Sequence, residues 1–258
     1  MTYVNPLRAT WTAGRPTFSA WLSSGEPLIG EYLAGCGYDE VLADLQHGAI
    51  EIGHLPALFQ AIESRGRAPG ARVAANDYTL IGRVLDMGAL AIVVPMVESG
   101  EEAANAVAAC RYPPAGRRSM GPLRSMVTMA STRADDLAQV VCLVQVETAR
   151  GLANVDAIAA TPGLDGIFIG PSDLGLSVGL AEADRSPAEE ASHAAAIERI
   201  VAACQHHGII PAIITANGEG AKRRLAQGFR HIAMTSDLSL IAEGGTRELS
   251  VVRGATQG

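Results

Sequence analysis

The chain has 258 residues, with 20 Lys and Arg against 27 Asp and Glu, for a formal net charge of −7. That balance argues against a nucleic-acid or anionic-membrane partner, since both require clustered positive charge, and no apolar run approaches the ~20 residues of a membrane span. Nineteen of the 20 basic residues are Arg and only Lys222 is a lysine, so a Schiff-base mechanism would have a single candidate.

Hydrophobic residues make up 48% of the chain and aromatics 4%, enough for a sizeable core built from aliphatic side chains. The length fits one large domain or two small ones. The N-terminal stretch shows no basic region followed by an apolar one, so no secretory signal is expected. Cys36, Cys110, Cys142 and Cys204 form no CxxC pair, and free, buried thiols in a reducing cytoplasm are the simplest reading.

Short apolar runs alternate with segments of helical periodicity. Predicted strands are Thr17–Leu22, Glu40–Asp44, Ala71–Ala75, Ala91–Pro95, Val140–Val146, Gly166–Ile169, Ile209–Ile214 and His231–Met234. Several are continuously apolar, as strands covered on both faces are. Between them, helices are predicted at Ile52–Ser64, Thr79–Met87, Gly100–Cys110, Leu152–Ala160, Pro187–His206 and Glu219–Gln227. Gly88, Gly163, Gly208 and Gly228 stand where these helices should end. The segment Arg111–Ala130, rich in Pro, Gly and Arg, reads as one long loop. Eight strands alternating with helices point to a single (β/α)8 barrel spanning residues 1–258.

In such a barrel the chemistry belongs to the carboxyl ends of the strands. The polar residues there are Asp44 and His47 in DLQHG, Arg72 in ARVAA, Gln145 and Glu147 in VQVET, and Asp173 in GIFIGPSDL. Asp173 alone could be a helix N-cap. Glu147, on an otherwise apolar strand, would be a costly unpaired carboxylate. The two at neighbouring strand ends would together suit a hard divalent cation, Mg2+ or Mn2+ first, with Co2+ or Zn2+ as alternatives. His47 could be structural, but Asp44 could instead fix its tautomer and raise its basicity. A buried Arg72 needs an anion, either a substrate oxygen or one of Asp44 and Glu147. His54, His193, His206, His207 and His231 read as solvated or structural.

Five ordered motifs, DLQHG, PMVES (95–99), RYPPAGRRSMG (111–121), VQVET and DGIFIGPSDL, resemble the HpcH/HpaI aldolase family over nearly the whole chain. The resemblance implies a barrel whose last helix packs on a neighbouring subunit in a homo-oligomer, usually a hexamer. It implies that Glu147 and Asp173 hold the divalent metal, that His47 paired with Asp44 handles protons, and that Arg72 stabilises an enolate oxygen. Gln145 would lie beside the metal, and backbone amides around Gly170, Pro171, Ser172 and Asp173 would hold the keto acid carboxylate. Asp86 matches a position that reaches a neighbouring subunit's site. Gln46 stands where many relatives carry Glu. Trp21 and the loop at Ile214–Asn217 are candidate walls of the aldehyde pocket. The implied reaction is reversible aldol cleavage of 4-hydroxy-2-oxo acids to pyruvate, or hydroxypyruvate, and an aldehyde. Two alternatives are an acyl-CoA thioester lyase of the citrate or malyl-CoA kind, for which the arginines of the 111–124 loop could meet the nucleotide, and a non-catalytic barrel that binds metal and keto acid.

Overall fold

The computed structural model describes residues 3–180 and 184–255. The elements run α1 (Pro6–Thr12), β1 (Thr17–Leu22), α2 (Pro27–Gly35), β2 (Glu40–Asp44), α3 (Leu55–Glu63), β3 (Ala68–Arg72), α4 (Tyr78–Asp86), β4 (Ala91–Val94), α5 (Gly100–Cys110), α6 (Leu123–Thr128), α7 (Ala134–Leu137), β5 (Val141–Val146), α8 (Ala149–Ala153), α9 (Val155–Ala159), β6 (Gly166–Ile169), α10 (Pro171–Ser177), α11 (Pro187–His207), β7 (Ile210–Thr215), α12 (Gly218–Ala226), β8 (His231–Ser236) and α13 (Asp237–Ala255). The eight strands pair in parallel and in sequence order, and β8 closes on β1. The predicted (β/α)8 barrel is the fold.

Local chemistry sets the helix boundaries. In α11 the Ser186 side chain accepts from the Glu189 N–H and Glu189 returns a bond to the Ser186 N–H, a reciprocal cap. Gly208, at φ +68°, ends the same helix in the left-handed conformation that glycine adopts without steric cost. Asp77, Ser99 and Thr148 cap α4, α5 and α8 with a single bond each, accepting from the N–H of Leu80, Glu102 and Gly151. Three expectations need correction. The third strand is Ala68–Arg72, not Ala71–Ala75. Pro69 and Gly70 disguise it, since both are poor strand formers. The stretch expected as one helix at Leu152–Ala160 is two short helices, α8 and α9, broken at Asn154, whose amide donates to the Glu98 carbonyl at 2.8 Å. The segment Arg111–Ala130 is not loop throughout, because it contains α6.

The barrel interior is filled in layers. Phe168 lies at mid-height, its ring 5.7 Å from that of Trp21 on one side and 6.4 Å from that of His231 on the other. Glu40 and His231 begin their strands and are fully buried at the amino end, with Nε2 of His231 3.2 Å from the Glu40 carboxylate. α1 seals that end. Trp11 donates its indole N–H to Thr17 Oγ1, which also contacts Nδ1 of His231. Arg8 grips Asp165 with two hydrogen bonds of 2.6 and 2.8 Å.

Three of the four arginines in the 111–124 segment are tied down there as well. Arg111 donates to the carbonyls of Val140 and Gly163 and to Asp165, and Arg124 to Glu63 and the Met87 carbonyl. The buried Arg118 donates to the Leu137 carbonyl and to Asp86 and covers the Tyr112 ring. Of the cysteines, Cys110, Cys142 and Cys204 are buried, whereas Cys36 is exposed, against the expectation that all four would be buried.

Gly70 leaves the space that the Glu40 carboxylate occupies, and a Cβ there would overlap it. Gly70→Ala should therefore destabilise the fold by about 1–3 kcal/mol, the typical effect of overpacking. A lowered thermal midpoint checks this, and an unchanged one would refute the account of the buried layer.

Candidate active site at the carboxyl end of the barrel

Asp44 and Arg72 end adjacent strands and sit opposite each other in the β2–β3 register. Both are buried, and the contact is bidentate: Arg72 Nε donates to Asp44 Oδ1 at 2.8 Å and Nη2 to Oδ2 at 2.7 Å. The fork of a guanidinium matches a carboxylate in this geometry. Trp21 completes the unit from β1. Its indole N–H donates to Asp44 Oδ2 at 3.1 Å, and the Arg72 guanidinium lies over its ring at 4.7 Å. Arg72 Nη1 makes no hydrogen bond among the described residues, so one nitrogen of a locked guanidinium is left for a ligand. Burial alone would raise the Asp44 carboxyl, but the Arg72 bonds and charge, with the Trp21 and Gln46 bonds, outweigh it and hold the group below the usual carboxylate range.

This arrangement changes the expected role of Asp44. The carboxylate accepts from the backbone N–H of Gln46 at 3.0 Å and of His47 at 3.3 Å, but not from the His47 imidazole. Arg72 and Trp21 already saturate its outer oxygens, so the expected Asp44–His47 side-chain pair does not form. The imidazole of His47 is exposed at the rim and makes no hydrogen bond among the described residues. Gly48 permits the turn that places it, because a Cβ there would collide with the Asp44 carbonyl. Trp21 is likewise not a free pocket wall, since its indole supports the Asp44–Arg72 pair.

Glu147 follows β5 and is buried. Its Oε1 accepts from the Met96 N–H at 3.0 Å, and Oε2 takes a short hydrogen bond from Gln145 Nε2. Nothing in the PMVES motif marks Met96 for this role except its place in the turn directly after β4. Gly170 opposite has no side chain, and one would overlap Glu147 Oε2. Asp173, in the first turn of α10, is exposed and makes no hydrogen bond or ion pair among the described residues. Burial raises the Glu147 carboxyl first, and the negative charge of Asp173 raises it further. A cation placed there would favour the Glu147 carboxylate against both effects.

The donor set suits such an ion. Besides the carboxylates, Gln145 Oε1 is buried with no hydrogen-bond partner among the described residues, so an oxygen acceptor is left unsatisfied at the same place. All three are hard oxygen donors, as Mg2+ and Mn2+ prefer. No group of three or more His, Cys, Asp or Glu is assembled here among the described residues, so solvent or ligand oxygens would have to complete the shell.

Asp86 lies at the carboxyl end of α4, where the Arg118 guanidinium holds it at 3.0 Å. The chain's own active-site residues are at the other end of the barrel. His193, expected to be structural, bonds the Pro171 carbonyl at 2.8 Å through Nε2 and so steadies the start of α10.

The model of the family described as HpcH/HpaI aldolase/citrate lyase matches residues 18–243. A hydroxypyruvate/pyruvate aldolase of Rhizorhabdus wittichii is 35% identical over 97% of this chain and 99% of its own length. A 4-hydroxy-2-oxo-heptane-1,7-dioate aldolase of Salmonella dublin is 37% identical over 93% and 91%. The crystal structure of an HpcH/HpaI aldolase/citrate lyase family protein from Burkholderia cenocepacia superimposes with a TM-score of 0.88 at 32% identity, over 97% of this chain and all of that one. The chain belongs to the HpcH/HpaI aldolase/citrate lyase family.

Proposed function

We propose that the protein is a metal-dependent aldolase that reversibly cleaves 4-hydroxy-2-oxo acids to pyruvate or hydroxypyruvate and an aldehyde. The observation that carries this reading is the buried Arg72, locked on two nitrogens by Asp44, stacked on the Trp21 ring and open on the third nitrogen, beside the Glu147 carboxylate. The names of the relatives at 35 and 37% identity support the substrate class.

Glu147, Asp173 and Gln145 would hold the divalent ion, with Mg2+ or Mn2+ favoured by the oxygen donors and Co2+ or Zn2+ as alternatives. When bound, it would supply Lewis-acid polarisation of the 2-oxo group. Arg72 Nη1 donates to the 2-oxo oxygen as negative charge develops on it, and Asp44 keeps the guanidinium aimed without reorganisation. The His47 imidazole is the group placed to hold or release a proton at the 4-hydroxyl oxygen of the longer acid. Ser172 and Asp173 offer backbone N–H groups to the keto acid carboxylate, whereas Pro171 has none to offer and serves to start α10.

Further parts of the reading concern assembly and location. Leu238, Leu240, Ile241, Val251 and Val252 on α13 are exposed, which supports a homo-oligomer that covers them, a hexamer by family resemblance. In that assembly Asp86 would approach a neighbouring subunit's site. No helix is long and apolar enough to cross a membrane among the described residues, and a cytoplasmic location remains part of the proposal. The acyl-CoA alternative loses its main support, because Arg111, Arg118 and Arg124 are engaged by the protein itself.

Arg72→Ala should lower kcat by about 10²–10³-fold, the usual effect of losing one donor to a developing oxyanion, while calorimetry still detects Mn2+ binding. Wild-type turnover in that variant would sink the role of Arg72. Exhaustive dialysis against a chelator should abolish cleavage of 4-hydroxy-2-oxo acids, and added Mg2+ or Mn2+ should restore it; activity indifferent to chelation would refute the metal-dependent reading. The buried pair also predicts a pH signature. A carboxyl held low in the fold stabilises above its unfolded pKa, and that contribution is lost as pH falls through the depressed folded value. Asp44→Asn should cost about 3–5 kcal/mol near neutrality by leaving Arg72 uncompensated, and the gap to wild type should narrow in acid. Denaturation curves at several pH values measure it.

A further inference from the structure

His193 lies buried on the inner face of α11, and the proton handling assigned to His47 makes no use of it. Its two ring nitrogens have chemically opposite partners. Nδ1 is 2.8 Å from Nη1 of Arg185, and Nε2 is 2.8 Å from the Pro171 carbonyl. A guanidinium can only donate and a carbonyl can only accept. Nδ1 is therefore the acceptor, and Nε2 carries the proton. Burial lowers the pKa of the imidazole; the Pro171 bond opposes this and the Arg185 charge adds to it, so the ring is neutral near pH 7. One tautomer is fixed, with its single N–H committed to Pro171.

The surroundings hold this bridge in place. Gly175 leaves a notch in α10 for the Arg185 guanidinium, and a Cβ there would overlap Nη2. Arg185 immediately precedes Ser186, whose reciprocal cap with Glu189 fixes the start of α11. Pro171 in turn sits within the site. On its amino side, Gly170 packs so closely on Glu147 Oε2 and Gln145 Nε2 that a Cβ would overlap both. On its carboxyl side, two residues on, stands Asp173, whose charge acts on Glu147. The Asp173 side chain makes no hydrogen bond or ion pair among the described residues, so its backbone must place it. That backbone belongs to a helix of seven residues, too short to keep its direction without packing. The far end of α10 is tied down too, because the Ala149 N–H donates to Ser177 Oγ at 2.8 Å.

We propose that His193 is a positioning residue for the cation site: its fixed tautomer pins the Pro171 carbonyl and so holds Asp173 beside Glu147. This rests on the metal-dependent reading and extends the site to a residue of α11 that lies at no strand end. His193 itself touches neither the ion nor the substrate.

The test uses the full-length protein and two substitutions. His193→Phe keeps a planar ring and removes both hydrogen bonds, whereas the amide of His193→Gln can again donate to one partner and accept from the other. Calorimetry on metal-free protein should give a Kd for Mn2+ about tenfold weaker in His193→Phe, the lower end of the effect of losing a supporting contact around a metal. His193→Gln should recover most of that loss, which general loosening of the fold would not explain. Nitrogen-15 spectra of wild type give a readout independent of how the variants fold. The His193 ring, assigned by its absence from His193→Gln, should show a protonated Nε2 and a bare Nδ1 at neutral pH. Unchanged Mn2+ affinity in His193→Phe, a His193→Gln variant no better than His193→Phe, or a ring protonated at Nδ1 would each overturn the proposal. A wild-type protein that binds no Mn2+ would instead count against the metal-dependent reading itself.

Discussion

The carboxyl end of the barrel depends on one buried ion pair. Arg72 and Asp44 share two hydrogen bonds inside a layer of otherwise apolar or aromatic groups. Removing either partner would leave the other's charge uncompensated in a largely buried setting. The pair fixes Asp44 as a carboxylate, commits its oxygens, and so excludes it from serving the His47 ring. It also aims the free nitrogen of Arg72 into the site without any rearrangement at the moment of reaction.

The second half of the site is organised by a deficit. Glu147 is buried beside another carboxylate, and the Gln145 oxygen beside it has no partner among the described residues. At the opposite mouth, Arg8, Arg111, Arg118 and Arg124 meet Asp165, Asp86 and Glu63 in pairs. The barrel thus separates a stabilising end from a chemical one, as its family of folds does generally.

That separation also explains the almost exclusive use of arginine. Bidentate locks to carboxylates and backbone carbonyls need a planar fork, which lysine lacks. Lys222, the sole lysine, is exposed on α12 and takes no part in the site.

The sequence by itself determined the alternation of elements, seven of the eight strands to within a residue or two, and the residues at the strand ends. Period and continuous apolar runs are local properties, and the glycine stops at Gly88, Gly163, Gly208 and Gly228 all adopt positive φ as expected. What required the tertiary structure was partner choice. The third strand was misplaced because Pro69 and Gly70 look like breakers until Glu40 is seen filling the space beside Gly70. Asp44 lies three residues from His47 but bonds the side chain of Arg72, twenty-eight positions away, because adjacent strands in register bring those two ends together. The Met96 N–H on Glu147, the support Trp21 gives to Asp44 and the stacking of Arg117 on Tyr78 are likewise contacts between segments far apart in the chain. Residue types are written locally, whereas which oxygen meets which nitrogen is settled only when the barrel closes.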